Sequence, residues 1–346
     1  MKKIQLFNKK NKKELKEALS LEAFNRITVS FYRYFYIANP KSFRDMIFLK
    51  WDSLNIFGRV YIATEGINSQ ISIPEHYWKK FLRQISSING LENVFINRAY
   101  QEGSSFYKLT IKVRKELVAY GISKNDYNIN KVGNHLSAKD FNIAVTSSDS
   151  VILDMRNYYE SEVGRFDNAI IPDAETSKEL LPEVKRLLQG KENKKVLLYC
   201  TGGIRCEKAS AFLIKNGFKD VNQLHGGIIN YANQIKKLGL ESKFKGKNFV
   251  FDNRLGERIT KDILAQCHLC GVSCDNHTDC KNDACHILFI QCDRCNKELN
   301  GCCSIDCKDF ASLSKDKQKI LRKDHNRVVS NTFFNPKIKP KINSKT

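Results

Sequence analysis

Cys200 heads the run Cys200, Thr201, Gly202, Gly203, Ile204, Arg205, a six-residue loop between an apolar strand at 196–199 and a helix expected to begin near Cys206 and Glu207. Two adjacent glycines let the backbone curl until several amide N–H groups point at one centre, and a helix N-terminus adds partial positive charge there. Arg205 supplies a full positive charge. A cysteine so placed has a lowered pKa and is held as a thiolate or a persulfide. Cys200 and Arg205 are therefore the candidate catalytic residues, with Thr201, Gly202, Gly203 and Ile204 as the loop supporting the sulfur. Cys206, one turn on, could resolve an oxidised Cys200 as a disulfide, or could be a small residue packed at the helix start. Phosphatases also use a Cys-headed, Arg-ended loop, but one residue longer so as to surround a phosphate. Six residues favour sulfur.

A second concentration of chemistry lies between 267 and 307, where thirteen residues are Cys or His. Cys267-His268-Leu269-Cys270 and Cys292-Asp293-Arg294-Cys295 are two CxxC pairs. Two such turns supply the four thiolates of one tetrahedral zinc, at Zn–S distances of about 2.3 Å. These four are the candidate metal ligands, with structural zinc, an iron–sulfur cluster and unmetallated thiols as the alternatives. The other candidates, Cys274, His277, Cys280, Cys285, His286, Cys302, Cys303 and Cys307, could fill a further site, but spacing does not pair them. There is no facial triad of two His and a carboxylate and no Gly-rich fingerprint for a flavin or nicotinamide dinucleotide.

The elements that must position these residues follow from periodicity. Residues 27–37 read as a β-branched and aromatic strand stopped by Asn39 and Pro40, and 42–54 have helical spacing. Residues 58–73 read as two strands about a turn at 65–67, residues 75–88 as an amphipathic helix, and 107–113 as a closing strand. The order βαββαβ predicts a ferredoxin-like α+β domain, with Trp51 and Trp78 in its core. From 151 the pattern changes to short, wholly apolar strands at 151–154, 196–200 and 221–224, with helices near 177–188 and 207–216. Such strands are buried on both faces, so a parallel α/β sheet is expected, with its reactive loop at the carboxyl end of a strand.

With 346 residues the chain should hold several units: a basic extension at 1–20, the α+β domain at 21–125, the parallel α/β domain at 126–240, a Cys-rich region at 241–310 and a basic tail from 311. No repeat of fixed period is present. No apolar stretch makes a signal peptide or a membrane span, so the expected place is the cytoplasm, where thiols stay reduced. The net charge of +21 favours a polyanion such as nucleic acid, although a Lys-rich composition on a solvated surface would raise it too. Residues 308–346 carry eleven Lys or Arg against three Asp. No protein partner is implied, and the oligomeric state is open.

The loop, with Asp154, Arg156 and Glu160 before it and Leu224, Gly226 and Gly227 after it, resembles the rhodanese domain, whose loop cysteine carries a persulfide. Where rhodaneses usually have Gly-His before a Gly-Ala turn, this chain reads Gly164, Arg165, Phe166, Asp167, Asn168, Ala169. More widely, residues 200–210 (CTGGIRCEKAS), 225–229, 246–258 (GKNFVFDNRLGER), the preceding α+β domain and the Cys-rich region together resemble the bacterial rhodanese-containing tRNA uridine hydroxylases over roughly residues 20 to 310. That resemblance implies oxygen-dependent conversion of the wobble uridine of tRNA to 5-hydroxyuridine, with Cys200 essential. It also implies that Asp252, Asn253, Arg254, Glu257 and Arg258 line the active-site cleft, unless they form a solvated charged turn. Sulfur transfer through a Cys200 persulfide is the alternative activity. A non-catalytic RNA-binding module would not need Cys200, Gly202, Gly203 and Arg205 together.

Overall fold

The computed structural model describes residues 6, 11–174 and 176–322. Most of the basic N-terminal extension and the tail beyond 322 lie outside the described residues. What is described begins with α1 (Lys12–Ser20), whose first turn is capped by the Asn11 side chain.

The first domain is built on β1 (Arg26–Tyr34), α2 (Pro40–Asp52), β2 (Phe57–Ala63), β3 (Gly66–Pro74), α3 (Trp78–Ser86), β4 (Asn97–Arg98) and β5 (Leu109–Val113). Helix α2 starts where it does because Asn39 accepts from the Ser42 N–H and Pro40 fits the first turn. The sheet order is β4-β1-β3-β2-β5, with β1 antiparallel to β3 and β4, and β2 antiparallel to β3 but parallel to β5. The domain is ferredoxin-like, with one correction to the expected strands. The strand that closes the βαββαβ unit is the two-residue β4, whereas the segment near 107–113 forms an added edge strand beside β2. So short a strand carries no periodicity, so sequence favoured the longer one. Trp51, Ile47, Val60, Ile71 and Phe81 are fully buried in its core.

The second domain contains β6 (Asn134–Leu136), α4 (Ala138–Val145), β7 (Ser150–Asp154), α5 (Tyr158–Glu162), β8 (Gly164–Phe166), α6 (Ser177–Leu187), β9 (Lys195–Tyr199), α7 (Ile204–Lys215), β10 (Asp220–Leu224) and α8 (Gly227–Leu238). Strands β6, β10, β9 and β7 form, in that order, a parallel sheet. Strand β9 is internal and buried from Val196 onward, which is why its sequence is wholly apolar. Helix α7 begins at Ile204, two to three residues before the expected start. At the unusual turn, Asn168 takes the left-handed conformation, φ 58°, one of the few residue types other than Gly that does so readily.

The remaining elements are β11 (Phe244–Asn248), β12 (Glu257–Arg258), the antiparallel pair β13 (His277–Asp279) and β14 (Leu288–Ile290), and the helices α9 (Asp293–Glu298), α10 (Ile305–Ser312) and α11 (Lys315–Leu321). By contacts the chain divides into two compact units. One comprises residues up to 161 with 166–243 and 248–259, and the other 162–165, 244–247 and the chain from 260 on. Apart from residues 162–165, the first two domains therefore share one unit, and the cysteines from 267 to 307 belong to the other. No described helix is long and apolar enough to cross a membrane.

Candidate active site and cysteine centre

Strand β9 ends at Tyr199 and α7 starts at Ile204, which puts Cys200 at the carboxyl edge of the parallel sheet and just below a helix N-terminus. The Gly203 N–H donates to Cys200 Sγ at 3.1 Å. Gly203 has φ 101°, and a Cβ there would lie 2.8 Å from the Tyr32 hydroxyl, so only glycine fits between loop and tyrosine. From the other side Gly227 (φ 66°) presses on the loop, where a Cβ would come within 2.4 Å of the Cys200 carbonyl oxygen. That contact lets the N–H groups of Ile228 and Ile229 bond the carbonyls of Cys200 and Thr201, at 3.0 and 3.2 Å.

Cys200 has no exposed surface, and burial by itself disfavours a thiolate. Hydrogen bonding from the Cys206 thiol, the Arg205 charge and the N–H groups of Cys206 and Arg205 outweigh it and bring the Cys200 pKa down to about 6. Cys206 is pushed the opposite way, first by its own burial and then by donating to Cys200. Arg205 is tied down by Glu160, whose two carboxylate oxygens accept from its guanidinium at 2.6 and 2.8 Å, and the Thr201 hydroxyl donates to the same carboxylate at 3.2 Å. Asp154 and Arg156 form a second, fully buried pair at 2.6 Å below the loop, with the Ser161 hydroxyl on Asp154 at 2.8 Å.

Glu207, on the first turn of α7, gathers a polar network beside the loop. Its carboxylate accepts from the Tyr32 hydroxyl at 2.8 Å and from the Gln223 amide at 3.1 Å, and pairs with His135 Nε2 at 2.8 Å. The hydrogen bond to Glu207 raises the His135 pKa above its usual value. Burial pushes Glu207 up, yet His135 and the other donors hold it below the usual carboxylate range. Tyr32 comes from β1 of the first domain, as does Tyr34, whose hydroxyl donates to the Ile204 carbonyl at 3.4 Å. Tyr120, between the two domains, donates to the Arg205 carbonyl at 3.0 Å. The surroundings of the Cys200 loop thus include side chains from outside the domain that carries it.

Comparison with known proteins matches this arrangement along the chain. Residues 26–117 match the model of the UPF0176 acylphosphatase like domain, 137–234 the rhodanese-like domain and 245–308 the rhodanase C-terminal domain. A protein of Leptospira interrogans named tRNA uridine(34) hydroxylase is 48% identical over 99% of this chain and 93% of its own length. Proteins of the same name from Photorhabdus laumondii and Escherichia fergusonii are each 47% identical, over 92% and 95% of this chain and 91% and 94% of their own lengths. The chain belongs to the tRNA uridine(34) hydroxylase family.

In this member of the family the charged run before the Cys-rich segment is bonded within itself and to residues 100–105, where the Gln101 carbonyl accepts from Arg254, the Gln101 side chain from the Arg258 N–H at 2.9 Å and the Ser105 carbonyl from the Asn253 N–H at 3.0 Å. Arg254 pairs with Asp252 at 2.5 Å and with Glu257 at 2.7 Å, while Glu257 also accepts from the Tyr100 N–H at 3.0 Å. The described contacts of this run with the reactive loop come instead from its aromatic residues. The Phe249 carbonyl accepts from Thr201 at 3.5 Å, and Arg205 lies 5.9 Å from the Phe251 ring centre.

Cys267, Cys270, Cys292 and Cys295 are brought together, with all four sulfurs within 4.8 Å of one another. The first CxxC turn closes through the Gly271 N–H on the Cys267 carbonyl, and the Cys292 N–H donates to Cys267 Sγ at 3.3 Å. Cys270 and Cys292 sulfurs stand 3.6 Å apart. A tetrahedral ion with Zn–S bonds of about 2.3 Å needs its sulfurs about 3.8 Å apart, so the donor set fits zinc. Spacing did not pair Cys280, Cys285, Cys303 and Cys307, which form a second such group. Nor did it single out Tyr32, His135, Glu207 and Gln223, which converge only through the fold, although an acidic residue on the first turn after the loop was a visible signal.

Proposed function

We propose that this chain converts uridine 34 of tRNA to 5-hydroxyuridine, with Cys200 as the reacting nucleophile and molecular oxygen as co-substrate. Family membership over nearly the full length carries the reading, and the Cys200 loop supplies chemistry to match. The Cys200 thiolate adds to C6 of the base, which makes C5 electron-rich enough to react with oxygen. In total, uridine, dioxygen, two electrons and two protons give 5-hydroxyuridine and water, the electrons coming from an external two-electron reductant. Loss of the C5 proton with expulsion of Sγ from C6 restores the double bond. Because Cys200 has no exposed surface, the uridine must be flipped out and the cover of the loop displaced before attack.

The basic ends of the chain, 1–20 and 311–346, would meet tRNA phosphates, consistent with the net charge of +21. The domain at 126–240 carries the nucleophile, and Cys267, Cys270, Cys292 and Cys295 hold a structural zinc within 241–310. A tRNA substrate supports a cytoplasmic place for the protein. Nucleoside mass spectrometry of tRNA from cells lacking the protein should show loss of 5-hydroxyuridine derivatives, restored by the wild type and not by Cys200→Ser. Unchanged 5-hydroxyuridine in the deficient cells overturns the reading.

The burial of Cys200 favours one alternative, sulfur transfer. A persulfide places its outer sulfur about 2 Å beyond Sγ, which suits a sulfur held this deep. Intact-mass analysis after thiosulfate treatment, looking for one added sulfur on the wild type but not on Cys200→Ser, distinguishes it.

A further inference from the structure

Within the second unit, the stretch from 260 to 322 contributes little buried carbon of its own. Between 260 and 322 the buried apolar side chains other than cysteine are Ala265, Ala284, Phe289 and Ile290, against nine buried cysteines. A segment so small and so poor in buried carbon needs another source of stability, usually a metal or disulfides. One four-sulfur group secures only the part around 267–295.

The second group, Cys280, Cys285, Cys303 and Cys307, is the more deeply enclosed, since all four cysteines are buried. Their sulfurs lie within 4.8 Å of one another, with Cys285 to Cys303 at 3.7 Å and Cys303 to Cys307 at 3.6 Å. These separations are far from the ~2.05 Å of a disulfide. They are close to the ~3.8 Å that four thiolates take around one tetrahedral zinc. An iron–sulfur cluster spreads its cysteines over several irons, and so sets their sulfurs further apart than one shared centre does.

The backbone presents the four from two turns. Cys280 ends the chain leaving β13 and Cys285 closes a turn in which the Asn282 side chain accepts from the Ala284 N–H at 2.9 Å. Cys303 precedes Ser304, which caps α10, and Cys307 sits on the first turn of that helix. The buried Asn282 also donates its amide to Cys307 Sγ at 3.3 Å, the kind of outer hydrogen bond that orients a thiolate ligand. Cys274 and Cys302 are buried nearby but belong to neither group.

We propose that Cys280, Cys285, Cys303 and Cys307 bind a second tetrahedral zinc ion, separate from the Cys267 centre, which pins α10 to the β13–β14 hairpin. The four thiolates replace the missing hydrocarbon core of this segment. This inference does not depend on the hydroxylase reading, and tRNA analysis has no bearing on it.

The full-length protein, loaded with excess zinc and desalted, should retain about two zinc ions per chain by elemental mass spectrometry. Cys303→Ser with Cys307→Ser should lower that to about one, as should Cys267→Ser with Cys270→Ser, whereas Cys302→Ser should keep two. Should either double variant fail to fold, cobalt titration of the metal-free wild type decides: thiolate-to-cobalt absorbance should rise to two equivalents. Saturation at one equivalent, a wild-type ratio of one or less, or an undiminished ratio in the Cys303, Cys307 variant overturns the proposal.

Discussion

The Arg205 guanidinium is bonded through two nitrogens to the Glu160 carboxylate, at 2.6 and 2.8 Å, forty-five residues away in sequence. The cation that flanks Cys200 is therefore a partnered one, held in place by a carboxylate with no exposed surface. Removing one member of a buried pair leaves the other charge uncompensated, which costs about 3–5 kcal/mol. Glu160→Gln should lower stability by that amount in denaturant titration, and a loss below about 1 kcal/mol would show that the pair does not anchor the loop.

The titration of Cys200 has a definite sign. Its folded pKa, about 6, lies below the ordinary thiol value of 9.0. A depressed value means that ionisation stabilises the fold fully above the ordinary pKa, and that this contribution disappears as pH falls through about 6. The ultraviolet thiolate absorbance of wild type minus Cys200→Ser should therefore be half lost near pH 6. A difference signal that appears only above pH 8 would contradict the loop geometry.

Cys206 acts on Cys200 as a hydrogen-bond donor, the largest single influence favouring the thiolate. Cys206→Ala, which removes the donor, should raise the pH at which the Cys200 thiolate forms, while Cys206→Ser should largely preserve it. Equal titrations for the two variants would remove Cys206 from this role.

Gly227 tests how closely the loop is packed from behind. In Gly227→Ala the new Cβ would meet the Cys200 carbonyl oxygen at 2.4 Å, and the residue would also have to keep φ at 66°. Gly217 offers the control, because φ there is 92° but nothing lies within 4 Å of a Cβ. Gly217→Ala should cost about 1–2 kcal/mol for the left-handed backbone alone. Gly227→Ala should cost more than that and should also abolish the low-pH thiolate signal of Cys200. Equal costs, with the thiolate retained, would show that the loop tolerates the displacement.

Much of the site was legible because its signals are local. A cysteine, two glycines and an arginine within six residues of a buried strand describe an anion-holding loop before any fold is known, and each CxxC pair is set by one turn of chain. The apolar runs of β7 and β9 likewise announced a parallel sheet, since only burial on both faces removes alternation. The two-residue β4 escaped notice because it is too short to show a period, and its place beside β1 depends on register across the sheet.

What sequence alone determined was thus the Cys200 loop, with its two glycines and arginine, and the two layered α/β domains. Only the tertiary structure decided the partners. It set Glu160 on Arg205, Tyr32 and His135 on Glu207, and Cys280 and Cys285 opposite Cys303 and Cys307. The reason is physical. Periodicity and turn chemistry act over a few residues, whereas which distant side chains share a buried site is chosen by strand order and helix packing, where every buried charge and thiolate must find a partner at once.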